Sequence, residues 1–426
     1  MKTNVLIFPA GEINSVELHD ALSHNVNIEV FGASSIERHG AYVFRNYRGG
    51  LPFISDRDFI KDFNNLVEEW KIDLVFPTHD TVALFLAEHR DDIKAKIIVA
   101  SYDTALICRD KRKTYDLFAD CKFCPKQYEF FEEFPVFIKP REGQGAQGAY
   151  LINSLDDVPN NIDLNEYTIS EYLPGQELTV DCLTDSKGNL CACLPRVRQR
   201  LLAGVCVAGE TMNATNELFM IGKTINSRLN FMGLWYFQLK KDINGCYKLL
   251  EIATRCAGTM CLSRARGVNL PLLSVYVALG KDICVFENPY SVVMDRTLIS
   301  RYKVDYEYDK VYVDYDDTLI EGDKVCLPVI RFLYQCRNQG KKIVLITRHE
   351  IDHKDSVERS LDEHSISRNL FDDVIMLSIA ESKANYIDGE KAIFVDNAYT
   401  ERKQVYEKLR IPVFDVEGIE VLIDWR

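Results

Sequence analysis

The chain has 426 residues, 47% of them hydrophobic and 27% charged, a balance ordinary for a globular protein of two or three domains. Lys and Arg number 51 against 64 Asp and Glu, giving a formal net charge of −13, which disfavours non-specific binding to nucleic acid or an anionic membrane but leaves room for a local basic pocket. No stretch is apolar for long enough to span a bilayer, and the opening MKTNVLIFPAGE reads as a buried first strand rather than a secretory leader, so a cytoplasmic protein with reduced thiols is expected.

Residues 1–100 alternate strand and helix signals. NVLIFPA, VNIEVFGAS, DLVFPTHD and KAKIIVAS are apolar runs of strand length, and FISDRDFIKDFNNLVEEW has helical periodicity. Continuous apolar strands separated by helices predict a parallel sheet covered on both faces. The loops Pro9–Glu12 and Thr78–Asp80 then lie at carboxyl ends of strands, where such sheets bind ligands. Residues 101–295 change character. FPVFIKP, YTISEYL, ELTVDCLTD and YKLLEIA read as antiparallel strands, and GNLCACL as the return arm of a hairpin turning at Lys187–Asn189. Residues 296–308 are polar and lack an apolar face, as in a linker. Residues 309–426 restart the alternation: KVYVDYD, a helix at PVIRFLYQCRNQG, KKIVLIT, a helix near DSVERSLDEH, DDVIML, KAIFVDN, a helix at ERKQVYEKLR, and PVFDV. The cysteine pairs Cys121/Cys124 and Cys191/Cys193 lack a repeated knuckle pattern, so separate buried thiols are favoured over a zinc site.

Several groups carry chemistry. Lys139 ends FPVFIKP and precedes Gly143, Gly145 and Gly148, in a run where missing side chains let backbone amides approach a phosphate. The plain alternative is a mobile hairpin tip. Upstream stand Asp110, Lys111, Lys113 and Thr114, before a helix; downstream stand Glu171, Tyr172, Leu173, Gly175 and Glu177. A later hairpin carries Gln238 on one strand and Glu251 on the other, where antiparallel neighbours can share a metal. This order resembles the ATP-grasp superfamily, especially its carbamoyl-phosphate-synthase-like branch, over about residues 1–295. The resemblance implies a leading nucleotide-fold-like domain (1–100) and an ATP-grasp α+β domain (101–295). It assigns Lys111 and Lys139 to the ATP phosphates, Gly143 to Gly148 to the loop above them, Glu171, Tyr172 and Leu173 to the adenine hinge, and Glu177 to the ribose. It also makes Gln238 and Glu251 Mg²⁺ ligands and Arg255 the arginine that closes the metal motif. Ala253 stands where the family carries a metal-holding asparagine. For Glu251 and Arg255 the alternative is a strand-end ion pair. Arg196, Arg198 and Arg200 alternate on a strand and would share one face, either as an anion site or as a solvated surface.

In the last segment, Asp314 and Asp316 follow the apolar run Val311–Val313. Residues two apart on an extended segment point the same way, so both carboxylates face the carboxyl end of a parallel strand. There they can hold Mg²⁺, and one can attack phosphorus while the other moves a proton. The alternative is a solvated acidic turn. Thr347 ends KKIVLIT, Lys383 lies in ESKANYI and Asp396 ends KAIFVD. The set resembles the motifs of haloacid dehalogenase-type phosphatases, over about residues 309–426. It implies a Rossmann-like domain with Asp314 as nucleophile, Asp316 as general acid/base, and Thr347 and Lys383 on the phosphoryl group. Asp396 would bind Mg²⁺ with Asp314 and the Asp316 carbonyl. The motif continues with Asn397 where many relatives carry a second acid, a role Glu401 could take. The intervals between motifs have no room for an inserted domain, so the domain is expected to be capless.

Taken together, an α/β chain is expected: a leading parallel-sheet domain, an ATP-grasp domain, and a capless phosphatase domain. The function this implies is ATP- and Mg²⁺-dependent ligation of a small-molecule carboxylate to an amine, coupled to hydrolysis of a phosphate ester. No nucleic-acid or membrane partner is expected, and self-association is left open. The alternative, kept alive by Ala253, is a phosphatase whose ATP-grasp module binds a nucleotide or metabolite without ligating.

Overall fold

The computed structural model describes residues 2–37, 39–143, 147–160, 162–202, 204–348 and 356–426, with Ser356 as backbone alone. It forms two compact units, Met1–Leu298 and Ile299–Arg426.

The first unit opens with β1 (Thr3–Phe8), α1 (Ile13–Leu22), β2 (Ile28–Ala33), β3 (Asn46–Arg48), α2 (Phe59–Glu69), β4 (Leu74–Pro77), α3 (Asp80–Glu88) and β5 (Lys96–Ile97). The strands pair in parallel in the order β3-β2-β1-β4-β5. The two-residue period of β1 explains the double cover. Val5 and Ile7 pack with Leu18 and Leu22 of α1, whereas Leu6 and Phe8 pack with Phe59, Phe63 and Leu66 of α2. Each such side chain, once buried, contributes roughly 1.5–3 kcal/mol. α2 starts at Phe59 and not at the beginning of FISDRD. The Asp56 carboxylate accepts the Phe53 amide at 2.8 Å, fixing a turn before the helix.

α4 (Tyr102–Arg109) and α5 (Lys111–Leu117) follow, broken at Asp110. Asp110 is extended and caps α5 by accepting the Arg112 amide at 2.9 Å. Two antiparallel sheets complete the unit. The smaller holds β6 (Gln127–Tyr128), β7 (Val136–Pro140), β8 (Tyr150–Ile152) and β9 (Tyr167–Glu171) in the order β6-β9-β7-β8. The larger holds β10 (Glu177–Thr184), β11 (Leu190–Leu202), β12 (Val205–Thr211), β13 (Gly233–Lys241), β14 (Tyr247–Ala253) and β15 (Val293–Asp295), ordered β14-β13-β10-β11-β12-β15. One face of that sheet receives α6 (Asn216–Arg228), whose Leu218, Ile221 and Ile225 join Trp235 and Phe237. α7 (Cys261–Ala265) and α8 (Leu270–Ala278) follow β14, and α8 joins the core beneath β1.

The second unit holds β16 (Lys310–Val313), the hairpin β17 (Ile320–Glu321) and β18 (Lys324–Val325), α9 (Leu327–Asn338), β19 (Lys342–Thr347), α10 (Ser356–Glu363), β20 (Asp373–Met376), β21 (Ala392–Val395), α11 (Tyr399–Leu409) and β22 (Val413–Phe414). Its five-stranded sheet is parallel throughout, in the order β20-β19-β16-β21-β22. β16 is central, and the order reverses at it. Cores lie on both faces, one around Val311, Val313, Phe332 and Leu345, the other around Tyr312, Ile346 and Phe394. Among the described residues, the intervals between the motifs hold the hairpin, α9, α10, β20 and short turns, with no inserted sheet. No helix of the described residues is long and apolar enough to cross a membrane.

Candidate active sites

In the first unit, the smaller and larger antiparallel sheets enclose a cleft. It is lined by Lys111, Lys139, Gly143, Glu171, Tyr172, Leu173, Glu177, Gln238 and Glu251. The break at Asp110 starts α5 at Lys111, whose Nζ lies 3.4 Å from the Gly143 carbonyl oxygen. Lys139, at the end of β7, donates to the Leu250 carbonyl at 3.0 Å and stands over the Tyr115 ring. Burial, and then the neighbouring Lys111, push Lys139 down to about 7. Burial also lowers Lys111. Two ammonium groups held short of water and of full pairing are suited to a polyphosphate, which favours their charged form.

β13 and β14 pair with Gln238 directly opposite Glu251. Their side chains therefore share a face. The Glu251 carboxylate makes no hydrogen bond or ion pair with a described residue, although Lys111 and Lys139 feel its charge. An unpartnered carboxylate on a cleft wall beside two lysines fits a divalent cation carrying phosphates. The Gln238 Oε1 accepts from Arg198 at 2.8 Å, and the same guanidinium nitrogen holds Glu177 at 2.5 Å. Glu171, at the end of β9, accepts the Lys126 amide at 2.8 Å, with Tyr172 and Leu173 following it along the cleft. At Gly148, φ is +70°, and a Cβ would come within 3.1 Å of Pro140 and the Tyr167 hydroxyl, so glycine is required there. Gly145 lies outside the described residues.

The expected arrangement differs at two places. Arg255 does not line this cleft. It forms a two-point pair with Asp80, at 2.9 and 2.8 Å, and donates to the Cys256 carbonyl. It thus ties the end of β14 to the start of α3. The arginine row is not a common anion face either. Arg196 is buried against Asp181 and Thr259, Arg198 holds Glu177 and Gln238, and a register shift sends Arg200 to exposed Asp295.

A second cavity of about 800 Å³ continues from this cleft to the carboxyl ends of the parallel strands, sharing Lys111, Gly143, Gln238 and Glu251 with it. The loops Pro9–Glu12 and Thr78–Asp80 line it, as their strand-end positions predict. Thr78 donates to the Pro9 carbonyl at 2.6 Å, tying the two loops together. His79 caps α3 by accepting the Thr81 amide at 3.2 Å, and burial lowers its basicity. Arg109, the last residue of α4, also lines this cavity and was not signalled in the sequence.

Residues 163–298 match the family described as "ATP-grasp in the biosynthetic pathway with Ter operon". A curated relative is the carbamoyl phosphate synthase large chain of Thermoanaerobacter pseudethanolicus, 23% identical over 273 residues; these cover 55% of this chain and 25% of that protein. Among solved structures, the first unit is similar to N5-carboxyaminoimidazole synthetase from Staphylococcus aureus complexed with ADP. That likeness has a TM-score of 0.59 at 16% identity, covering 70% of this chain and 83% of that one. It is also similar to the L-amino acid ligase of Bacillus licheniformis, with a TM-score of 0.53 at 14% identity over 65% of this chain and 74% of that one. The first unit has an ATP-grasp fold. The chain spans about a quarter of the length of the carbamoyl phosphate synthase it matches.

The second unit gathers its candidate residues at the carboxyl edge of β16, β19 and β21. Lys383 donates to Asp314 at 2.5 Å and to Asp396 at 2.7 Å, and all three are buried. Burial first, and then Asp396, push Asp314 up to about 7. Two carboxylates share one ammonium, so the cluster carries an excess of negative charge once Asp314 is ionised, above about pH 7. That donor set fits a hard cation. Thr347 Oγ1 lies 3.4 Å from Asp316 Oδ2, bringing the fourth and fifth candidates to the same edge. Thr318 accepts the Asn397 amide at 2.9 Å and donates toward Asp314 at 3.5 Å. It locks the turn after β16, where Asp317 takes a left-handed φ of 54°. Glu401 does not stand in as a bare second acid. Its Oε1 pairs with Arg348 at 2.6 Å, while its Oε2 is buried without a hydrogen-bond partner among the described residues and is left as an open oxygen donor.

Proposed function

We propose that the chain is a bifunctional enzyme: an ATP-dependent carboxylate–amine ligase joined to a capless haloacid dehalogenase-type phosphatase, acting on small molecules in the cytoplasm. Convergence of Lys111, Lys139 and the unpartnered Glu251 in one ATP-grasp cleft carries the ligase reading. A carboxylate oxygen of the acid attacks the γ-phosphorus of ATP, ADP leaves, and an acyl phosphate forms. The amine lone pair then attacks the acyl carbon, phosphate leaves, and the nitrogen gives up its proton. Lys111 and Lys139 bind the transferring group and stabilise its spreading charge. Glu171, Tyr172 and Leu173 hold the adenine and Glu177 the ribose. Magnesium, held by Glu251 and Gln238 here and by Asp314, Asp316 and Asp396 in the second unit, would neutralise phosphate charge in both reactions.

The phosphatase reading rests on Asp314, Lys383 and Asp396 meeting at the order reversal of a parallel sheet. Asp314 attacks phosphorus, and Asp316 protonates the departing alcohol. Asp316 then takes a proton from the water that cleaves the aspartyl phosphate. Lys383 orients Asp314 and offsets phosphoryl charge, while the Thr347 hydroxyl donates to a phosphoryl oxygen.

The test of the ligase is ADP formation with a pool of carboxylates and amines. Wild-type release should depend on substrate, and Glu251→Gln should slow it roughly 10²-fold or more. Unchanged release in the variant removes the ligase reading. A second reading, a non-ligating nucleotide-binding module, is favoured by Ala253 and by the engagement of Gln238 with Arg198. It predicts ATP binding without substrate-dependent ADP.

A further inference from the structure

The cavity at the carboxyl ends of the parallel strands is too large for the smallest acids. Bicarbonate or acetate would fill a minor part of about 800 Å³. Its lining is divided in character. Toward the nucleotide cleft lies Arg109, whose Nη1 stands 3.4 Å from the Gly143 carbonyl oxygen, as does the Lys111 ammonium. Two cations therefore meet at one oxygen, on the side where phosphoryl transfer would occur. The Arg109 Nε is buried without a hydrogen-bond partner among the described residues, and its contact with the exposed Glu142 is 3.9 Å long. A buried guanidinium donor left open in this way costs free energy until an acceptor fills it. The other guanidinium in the cavity, Arg255, is already satisfied by Asp80 and Cys256.

The remaining lining is mixed: Glu12, Asn14, Ser34, His79 and Thr259 are polar, and beside them lies an apolar stretch. Ile13, Ile36 and Phe53 present 38%, 43% and 52% of their surface, and all three line this one cavity together with Ile54 and Val82. Large apolar side chains exposed around a concavity mark a site that buries an apolar body.

We propose that this cavity binds a carboxylic acid with an extended aromatic or branched aliphatic body, its carboxylate on Arg109 and its body against Ile13, Ile36 and Phe53. This names the substrate class of the ligase and rests on that reading for its chemistry, but binding of the acid can be measured alone. The carboxylate on Arg109 sits beside Lys111, where its oxygen faces the phosphoryl group. Arg109 is thus the residue that selects an anionic head, and the apolar wall selects its size.

The test uses the full chain with Mg·ATP analogue present and compares acetate, 4-methylpentanoate, 3-phenylpropanoate and 3-phenylpropyl phosphate by titration calorimetry. The phenyl acid is expected to bind at least about tenfold tighter than acetate, from the apolar surface it buries. Arg109→Met should weaken it about tenfold or more, Arg109→Lys less, and Phe53→Ala should narrow its margin over acetate. Thermal unfolding of each variant checks that it is folded. Equal affinity for acetate and the phenyl acid overturns the proposal, as does undiminished binding by folded Arg109→Met. Tighter binding of the phosphate ester than of the acid overturns the carboxylate assignment. A parallel assay adds ATP and hydroxylamine, which captures an acyl phosphate as a hydroxamate with release of phosphate. Arg109-dependent binding without hydroxamate upholds the site and defeats the ligase reading, so the two failures are distinct.

Discussion

Nucleotide binding in the ATP-grasp cleft should be a proton-uptake reaction, because Lys139 is held at about 7 by burial and by Lys111. An exposed lysine titrates near ~10.4. A polyphosphate beside Lys139 favours the ammonium, so the bound-state pKa rises toward that ordinary value. The sign follows. Well below pH 7 the free site is already charged, and binding moves almost no proton on Lys139. Above pH 7 the free site is mostly neutral, and each binding event takes a proton from solvent until the pH passes the bound-state pKa. At pH 8 the free lysine is ~90% neutral, so ~0.9 proton is taken up per ATP, and affinity falls about tenfold, ~1.4 kcal/mol, for each further pH unit. Titration calorimetry of the full chain with Mg·ATP at pH 8, in two buffers of different ionisation enthalpy, yields the proton count directly. Lys139→Met should reduce it to near zero. Binding without uptake in the wild type, or with undiminished uptake in the variant, would refute the assignment of the perturbed lysine.

Asp314→Asn should lower phosphate-ester turnover roughly 10³-fold or more while leaving ATP affinity intact, since the amide keeps the shape and loses the nucleophile. Turnover within tenfold of wild type would exclude Asp314 as that nucleophile. Lys139→Met should leave hydrolysis of 4-nitrophenyl phosphate unchanged, and a matching loss of both activities would indicate one composite site. Asp181→Ala strands the buried guanidinium of Arg196 and should destabilise the first unit by ~3–5 kcal/mol in urea unfolding. A change under ~1 kcal/mol would show that the site relaxes or hydrates.

How much of this was legible in the sequence depends on the range over which each residue's role is set. Asp314 was readable because it follows an apolar run at the carboxyl end of a strand, whereas Asp316 is exposed and reaches the same edge through Thr347. The two parallel sheets were readable because double burial leaves nearly uninterrupted apolar runs such as Val5–Phe8 and Ile343–Ile346. Lys383 was accessible only through family resemblance, for nothing local announces that its Nζ will bridge Asp314 and Asp396. Arg109 was invisible: at the C-terminal end of α4 it looks like any cation placed to favour a helix dipole. Its Nη1 reaches the Gly143 carbonyl more than thirty residues away, which periodicity does not register. The row of Arg196, Arg198 and Arg200 misled for a related reason. Alternation predicts a shared face, but the register shift between Arg198 and Arg200 and the partners supplied by β10 and β13 assign each arginine a separate task.

Ala253 bears on function through the number of oxygen donors and not through charge. The family asparagine is neutral, so its loss leaves the electrostatic demand of the polyphosphate unaltered. What remains at the hairpin is Glu251, directly opposite Gln238, and the structure holds that pair in register through β13 and β14. The Gln238 oxygen is engaged by Arg198, which is also held by Glu177. Releasing Gln238 to a cation therefore leaves Arg198 paired, and no buried charge is exposed by the exchange. Magnesium sites keep water at positions the protein does not fill. A missing neutral donor at residue 253 can be replaced by solvent. The Glu251 carboxylate cannot be replaced in this way, because its charge faces Lys111 and Lys139 across the cleft. Under the proposed ligase reading, activity turns on Glu251, and Ala253 is compatible with it.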